Sequence, residues 1–209
     1  MDQPRWEPTE PSTPERSLYA VREDGSIKFS VDLGADVDCA PSVGDDGVVY
    51  VGTDGGAVVA VDPERGEVRW RTDVGGHVRG GLTLTRRRQV VAGVYGPSPR
   101  VVSLDAATGR EAWSFAVYGT GAREFGVHGS PVEDARGALY FGAQDDIVYA
   151  LGPTGSLRWK LRTGGDVDAP VVLTEPGVLL AASDDGKLYC VRGGDAGSAH
   201  VVLAQPQVR

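Results

Sequence analysis

The chain has 209 residues, a formal net charge of −8, and contents of 41% hydrophobic and 24% charged residues. This length and composition are typical of a folded chain of one or two domains and exclude an intrinsically disordered protein. The negative charge argues against a nucleic acid or an anionic membrane surface as the main partner. No apolar run approaches the roughly 20 residues that a membrane-spanning helix needs, so no transmembrane segment is predicted.

Residues 1–16 contain four prolines and no apolar core. This composition predicts a disordered leader or a linker rather than a secretory signal. Farther along the chain, Cys39 and Cys190 have neither the spacing of a zinc site nor that of a redox motif. Whether these two cysteines pair stays open, and the sequence by itself leaves the cellular compartment open as well.

A sequence pattern then recurs about every forty residues, which is the signature of a repeat architecture. In each copy a turn glycine precedes an aromatic residue by four positions: Gly25 and Phe29, Gly66 and Trp70, Gly109 and Trp113, Gly155 and Trp159. A valine follows the aromatic residue in each copy: Val37, Val78, Val127 and Val167. A small residue stands fifteen positions after each valine: Gly52, Gly93, Gly142 and Ala182. Only the third copy has an insertion, between Tyr118 and Gly126.

Each repeat contains four short β-like runs separated by turn residues. In the first complete copy we expect strands at Val37–Val43, Val48–Gly52, Val58–Val61 and Glu67–Arg71. The run Val58–Val61 is apolar throughout, which predicts a strand that is buried on both faces. No stretch of the chain shows the 3.6-residue period of a helix. The pattern therefore predicts an all-β fold, a β-propeller made of four-stranded blades.

The repeat also predicts how the chain is divided. We expect a half blade at 17–31, full blades at about 35–74, 77–117, 126–163 and 166–205, and a short tail at 206–209. The fourth strand of the last blade is predicted at His200–Ala204. Four and a half blades indicate a partial, open or small ring. Its unpaired strand edges would favour homo-oligomers.

The repeat resembles a known family. Ala60, Asp62, Gly66 and Trp70 match the signature of the pyrroloquinoline-quinone-type (PQQ-like) β-propeller repeat, and the next copy matches it with Ser103 in place of the alanine. The third copy lacks the aspartate and has a shorter turn. The resemblance extends from Ser17 to about Arg192. The family includes quinone-dependent dehydrogenases, the lipoprotein scaffold of outer-membrane β-barrel assembly, and sensor-like domains of bacterial kinases.

The resemblance is specific for the fold and does not choose among these functions. We expect a non-enzymatic module that binds a protein or peptide or serves as a scaffold. The alternatives are a remnant of a quinone-dependent dehydrogenase and a ligand-sensing domain of a larger bacterial signalling protein. In the family, quinone catalysis needs a full ring, calcium, an aspartate base and often a disulfide of adjacent cysteines. This chain has no adjacent cysteines, so we predict neither catalytic residues nor a cofactor. The family implies a location outside the cytoplasm, in the periplasm or at the outer membrane.

Three sets of residues are candidates for special roles. The repeat residues are expected to be structural and to lie where blades pack together: Phe29, Trp70, Trp113, Trp159, Gly66, Gly109 and Gly155. The residues that follow the four valines are expected near one mouth of the axial channel, either holding a polar ligand or cation or simply solvated: Asp38, Arg79, His128 and Asp168. The insertion offers candidate protein contacts at Tyr118, Arg123 and Phe125, and the irregular loop Tyr95–Arg100 offers a second contact region.

Several aspartate pairs resemble parts of a calcium loop: Asp45-Asp46, Asp145-Asp146 and Asp184-Asp185. No loop of alternating aspartates closed by a glutamate is present, and aspartate with glycine is also what tight turns select. These pairs are therefore interpreted as turn residues, and no metal site is predicted.

Overall fold

The computed structural model describes residues 16–118, 125–175, 177–193 and 199–204, with only the backbone of 175, 193 and 199–204. All of the regular structure in these ranges is β, arranged as four four-stranded antiparallel sheets and one two-stranded sheet. The predicted all-β class with four-stranded blades is confirmed. The described residues include no helix that is long and apolar enough to span a membrane.

The strands follow one another in chain order, and each pairs with its sequence neighbours. The half-blade consists of β1 (Ser17–Val21) and β2 (Ile27–Asp32). Blade 1 consists of β3 (Ser42–Val43), β4 (Val49–Gly52), β5 (Ala57–Val61) and β6 (Val68–Asp73). Blade 2 consists of β7 (Thr83–Leu84), β8 (Gln89–Val94), β9 (Arg100–Asp105) and β10 (Glu111–Ala116).

The remaining two blades repeat this order. Blade 3 consists of β11 (Val132–Glu133), β12 (Leu139–Ala143), β13 (Ile147–Leu151) and β14 (Leu157–Arg162). Blade 4 consists of β15 (Val172–Glu175), β16 (Val178–Ser183), β17 (Lys187–Gly193) and β18 (Ala199–Ala204). The strand β18 stands where the sequence predicted the last strand of this blade.

The first strand of blade 1 is shorter than predicted. The expectation of a strand from Val37 to Val43 was wrong, because β3 covers Ser42–Val43 alone. The first strand of blade 2, β7, is equally short at Thr83–Leu84. The segment that begins at the repeat valine bonds to the neighbouring blade instead. In three copies the N–H of this valine donates to a backbone carbonyl of the preceding blade. These bonds are Val78 to Thr53 at 3.1 Å, Val127 to Val94 at 3.3 Å and Val167 to Ala143 at 3.2 Å.

The core lies between successive sheets rather than inside any one of them. Along β5, Val58 and Ala60 pack into the cluster shared with blade 2, whereas Val59 and Val61 pack into the cluster shared with the half-blade. All four side chains are 0% exposed. The predicted burial of both faces of this strand is therefore confirmed. Successive side chains of β5 point to opposite faces of the sheet, so one strand packs against both neighbouring sheets.

The glycine and valine columns of the repeat meet across these contacts. A Cβ added to Gly52, Gly93 or Gly142 would overlap the side chain of Val78, Val127 or Val167 of the next blade. Each valine thus occupies the space that the missing side chain of the previous blade leaves. The fifteen-residue offset relates each glycine to the valine of its own copy, whereas the packing contact joins that glycine to the valine of the next copy.

The aromatic and turn-glycine columns meet in a similar way. A Cβ on Gly66 would lie 2.6 Å from the ring of Phe29, one on Gly109 2.6 Å from the ring of Trp70, and one on Gly155 2.5 Å from the ring of Trp113. All three glycines have positive φ, between 70° and 82°. Only glycine combines this backbone conformation with an aromatic ring of the preceding blade directly against its α-carbon.

Candidate functional site

The four residues that follow the valines lie at one end of the blades, which we call the mouth. There the turn after the second strand of each blade is bonded to the segment that leads into the innermost strand. The bonds run from the amide of one residue to the carbonyl of the other: Asp54 to Asp36, Tyr95 to His77, Gln144 to Gly126 and Asp184 to Asp166, at 2.9 to 3.0 Å. This repeated bond places Asp38, Arg79, His128 and Asp168 at equivalent positions.

Arg79 is held by partners within the protein. Its Nε and Nη2 donate to the carboxylate of Asp54 at 2.9 to 3.1 Å, and its guanidinium carbon lies 5.2 Å from the centre of the Tyr95 ring. The hydrogen bonds to Asp54 raise the pKa of Arg79, with a smaller contribution from the charge of Asp38. The paired and stacked guanidinium therefore joins blades 1 and 2.

The two histidines of the mouth gather around the same tyrosine. The centre of the His128 ring lies 5.4 Å from the centre of the Tyr95 ring in an edge-on arrangement. The centre of the His77 ring lies 6.2 Å from that of Tyr95, with the two ring planes tilted against each other. Nδ1 of His77 is 2.5 Å from the carbonyl oxygen of Asp54. Sequence reasoning found Arg79 and His128 and missed Asp54; it named Tyr95 only as part of an irregular contact loop, not as the residue that brings them together.

The acidic members of the mouth differ in their burial. Asp38 is exposed and its charge acts on Arg79, whereas Asp168 is partly buried beside Asp166. Burial raises the pKa of Asp166, and the charge of Asp168 raises it further. One oxygen of Asp168 is buried without a hydrogen-bond partner among the described residues. The segments that carry three of the four predicted positions adjoin through their backbones: a Cβ on Gly80 would lie 2.5 Å from the carbonyl oxygen of His128, and one on Gly129 would lie 3.0 Å from that of Asp168.

Among residues 16–118, 125–175 and 177–193, no group of three or more His, Cys, Asp or Glu side chains is placed to hold a metal ion. Cys39 and Cys190 are both free thiols, and Cys39 packs in the core between blades 1 and 2.

Two of the turn aspartates have opposite environments although they occupy equivalent positions. Asp145 is 2% exposed and accepts a hydrogen bond from Tyr149 at 2.5 Å, and its burial raises its pKa. Asp185 accepts hydrogen bonds from Tyr189 at 2.6 Å and from Lys187 at 2.9 Å. These donors hold the pKa of Asp185 well below its usual range. The sequence pattern identified both as turn residues and did not distinguish them.

A second surface lies on blade 2, where its two irregular loops meet. The amide of Gly96 donates to the carbonyl of Phe125 at 2.9 Å, and the amide of Val117 donates to the carbonyl of Pro99 at 3.0 Å. These bonds bring the Tyr95–Arg100 loop against both ends of the insertion. Tyr118 and Phe125, predicted together as protein contacts of the insertion, therefore flank the same surface as the second predicted contact loop. Arg123 lies outside the described residues.

Between these loops is an open cavity of about 430 Å³, which we call the groove. Its lining consists of Pro97, Ser98, Pro99, Arg100, Ala116, Val117, Tyr118 and Phe125. Tyr118 is 81% exposed, the largest exposure among the exposed large hydrophobic residues of the described chain. Sequence reasoning named both loops but not their contact, because residues from 97 to 125 meet here only through the folding of blade 2.

Three solved structures with a similar fold illustrate what this chain resembles. BamB from Moraxella catarrhalis shares 24% identity with a TM-score of 0.68, over 85% of this chain and 52% of that one. The quinohemoprotein alcohol dehydrogenase ADHIIG from Pseudomonas putida HK5 shares 20% identity with a TM-score of 0.72, over 91% and 40%. The quinohemoprotein alcohol dehydrogenase from Comamonas testosteroni shares 16% identity with a TM-score of 0.70, over 89% and 39%.

These structural similarities show the fold alone, and the chain spans about half the length of the Moraxella protein and less of the two dehydrogenases. None of the curated proteins is significantly similar in sequence. A family model described as outer membrane protein assembly factor BamB matches residues 14–191. This match covers most of the chain, including the half-blade, blades 1 to 3 and most of blade 4. The chain therefore belongs to the BamB family of PQQ-like β-propeller repeat proteins.

Proposed function

We propose that the chain is a non-enzymatic protein-binding module and that the groove on blade 2 is its contact surface. The observation that carries this proposal is the convergence of two loops that the regular repeat does not require. Together they expose Tyr118 beside a cavity lined by Phe125 and two prolines. Exposed tyrosine next to a concave, largely apolar surface is typical of protein interfaces, where one end of the ring can pack and the hydroxyl can stay wet.

The family supports the same conclusion at a coarser level. Its description as an outer membrane protein assembly factor implies a role in which binding to other proteins, rather than turnover of a substrate, is the activity. The description also supports a location outside the cytoplasm, in the periplasm or at the outer membrane. We place this chain in that class without assigning it a named partner.

The alternatives lack a specific supporting observation. The likeness to quinohemoprotein alcohol dehydrogenases supports the fold, and the cationic side chain of the mouth, Arg79, is already paired with Asp54. A ligand-sensing role would use the same mouth, where Arg79 pairs with Asp54 and His128 packs against Tyr95. Dye reduction by the chain in the presence of pyrroloquinoline quinone and calcium would contradict a non-enzymatic role.

Site-directed photo-crosslinking in cells tests the proposed surface. With a photoreactive phenylalanine analogue at position 118, we expect a discrete cross-linked product of one protein, identifiable by mass spectrometry. Phe125→Ala should weaken this product several-fold, because Phe125 lines the same groove. The matched control places the analogue at Leu157, which is 48% exposed on the edge strand β14. Equal products from positions 118 and 157, or none from 118, would refute the groove as the contact surface.

A further inference from the structure

The groove contains one charged side chain whose capacity for hydrogen bonding is largely unused. Nη2 of Arg100 donates to the carbonyl of Val74 at 3.1 Å, while Nε is buried without a hydrogen-bond partner among the described residues. The carboxylate of Glu111 lies 4.0 Å from Nη2, at the outer limit of an ion pair. A guanidinium offers five N–H donors in one plane. The buried Nε is out of reach of a ligand, so the donors that Arg100 can offer to the groove are those of Nη1 and the second hydrogen of Nη2.

Arg79 shows how the same side chain can pair with a carboxylate within this fold. Both Nε and Nη2 of Arg79 donate to the two carboxylate oxygens of Asp54. No carboxylate of the described residues is placed against Arg100 in that way, although its side chain is equally well covered, at 28% exposure against 30%. Arg100 therefore retains a positive charge that a ligand carboxylate would complement.

The walls of the groove indicate a second property of its ligand, an apolar part. Pro97, Pro99, Tyr118 and Phe125 present apolar ring surface around Arg100. A free inorganic anion would leave this surface unused, whereas an apolar side chain next to a carboxylate would cover it. A cavity of about 430 Å³ accommodates a few side chains rather than a whole domain.

We propose that the groove binds a linear peptide segment of a partner protein in which an aspartate or glutamate side chain adjoins an apolar residue. The carboxylate pairs with the guanidinium of Arg100, and the apolar side chain packs against Tyr118 and Phe125. This inference rests on the proposed protein-binding function and specifies its ligand chemistry. Arg100 then determines specificity, and the two aromatic residues supply most of the contact area.

Selection from a phage-displayed library of random linear dodecapeptides, with the intact chain as bait, tests this inference. Clones are compared with those retained by the Tyr118→Ala/Phe125→Ala double variant. We expect the clones lost with the double variant to be enriched in Asp or Glu next to an apolar residue. Replacing the acidic residue of a selected synthetic peptide with its amide should then weaken binding about tenfold, the size expected for a charge-assisted hydrogen bond. This change leaves the protein untouched, so it cannot be confused with misfolding.

A matched pair of protein variants completes the test. Arg100→Gln should abolish the preference for the acid over the amide peptide, and Arg100→Lys should retain part of it, with the melting temperature of each variant as a folding control. Groove-dependent peptides without acidic residues would overturn the proposed ligand chemistry and leave the protein-binding function standing. If no selected peptide depends on Tyr118 and Phe125, both the ligand chemistry and the groove as a contact surface are overturned.

Discussion

At the scale of single residues, equivalent tryptophans of the repeat differ in whether the indole N–H has a hydrogen-bond partner. Nε1 of Trp70 donates to the carbonyl of Ala106 at 2.9 Å, in the turn of the next blade. Nε1 of Trp113 is buried without a hydrogen-bond partner in the described part of the chain. The turn that faces Trp113, between Leu151 and Gly155, is one residue shorter and lacks the aspartate of the signature. The departure of the third copy from the repeat therefore has a structural consequence.

This difference predicts unequal costs for the same substitution. Trp70→Phe should lower the free energy of unfolding by about 1 kcal/mol more than Trp113→Phe, because only Trp70 loses a hydrogen bond. The carbonyl of Ala106 keeps the hydroxyl of Tyr50 as a donor at 3.2 Å, so it is not left unpaired. Urea unfolding followed by circular dichroism measures the two variants side by side. Equal losses in the free energy of unfolding would mean that the hydrogen bond of the Trp70 indole makes no net contribution to stability.

At the scale of strands and sheets, the blades are joined by glycines that accept a side chain from a neighbour. Gly142 on β12 faces Val167 of blade 4, and the amide of Val167 donates to the carbonyl of Ala143 at 3.2 Å. The close approach allows the backbones of two blades to share a hydrogen bond. A side chain on Gly142 would push the blades apart and break this bond.

We therefore expect Gly142→Ala to destabilise the protein by about 2 kcal/mol through overpacking. Gly186→Ala is the matched control, since Gly186 has a φ of 78° and open space around it, and only the backbone strain of about 1 kcal/mol applies. Combining each change with Val167→Ala separates the two causes. The pair with Gly142→Ala should be less destabilising than the sum of its single changes, and the pair with Gly186→Ala should be additive. Additivity in both pairs would rule out the packing explanation.

At the scale of the whole molecule, the described sheets form an open series with a free strand edge. In the described chain β1 pairs with β2 alone. The amide of Leu33 donates to the carbonyl of Arg16 at 2.8 Å, which sets the alternation of the antiparallel ladder. By this alternation the N–H of Tyr19 points away from β2, toward the free edge, where another strand can pair.

We expect the purified chain to associate in a concentration-dependent manner through this edge. Tyr19→Pro removes the outward N–H and should shift the population toward monomer, whereas Tyr19→Ala keeps the N–H and should associate like the unmodified chain. Light scattering coupled to size exclusion measures the mass, and circular dichroism verifies that the variants fold. A monomer at all concentrations, or equal association of both variants, would exclude pairing through β1.

The sequence by itself determined the all-β class, the four-stranded blade and the family. These properties follow from spacing along the chain: the glycine, tryptophan and valine columns keep one register because each blade packs on its neighbours in the same way. The length of the first strand could not be read in this way, because the run from Val37 to Val43 predicted a longer strand than β3. A repeat can thus be recognised in the sequence alone, because equivalent residues recur about every forty positions.

Only the tertiary structure decided which side chains share a surface. The pairing of Arg79 with Asp54 and the position of both beside Tyr95 join residues of two blades with no fixed spacing. The meeting of Phe125 with the loop before β9, and the spare donors of Arg100, arise where the repeat is broken. Irregular loops carry no periodic signal, and their contacts depend on how each blade is seated against the next.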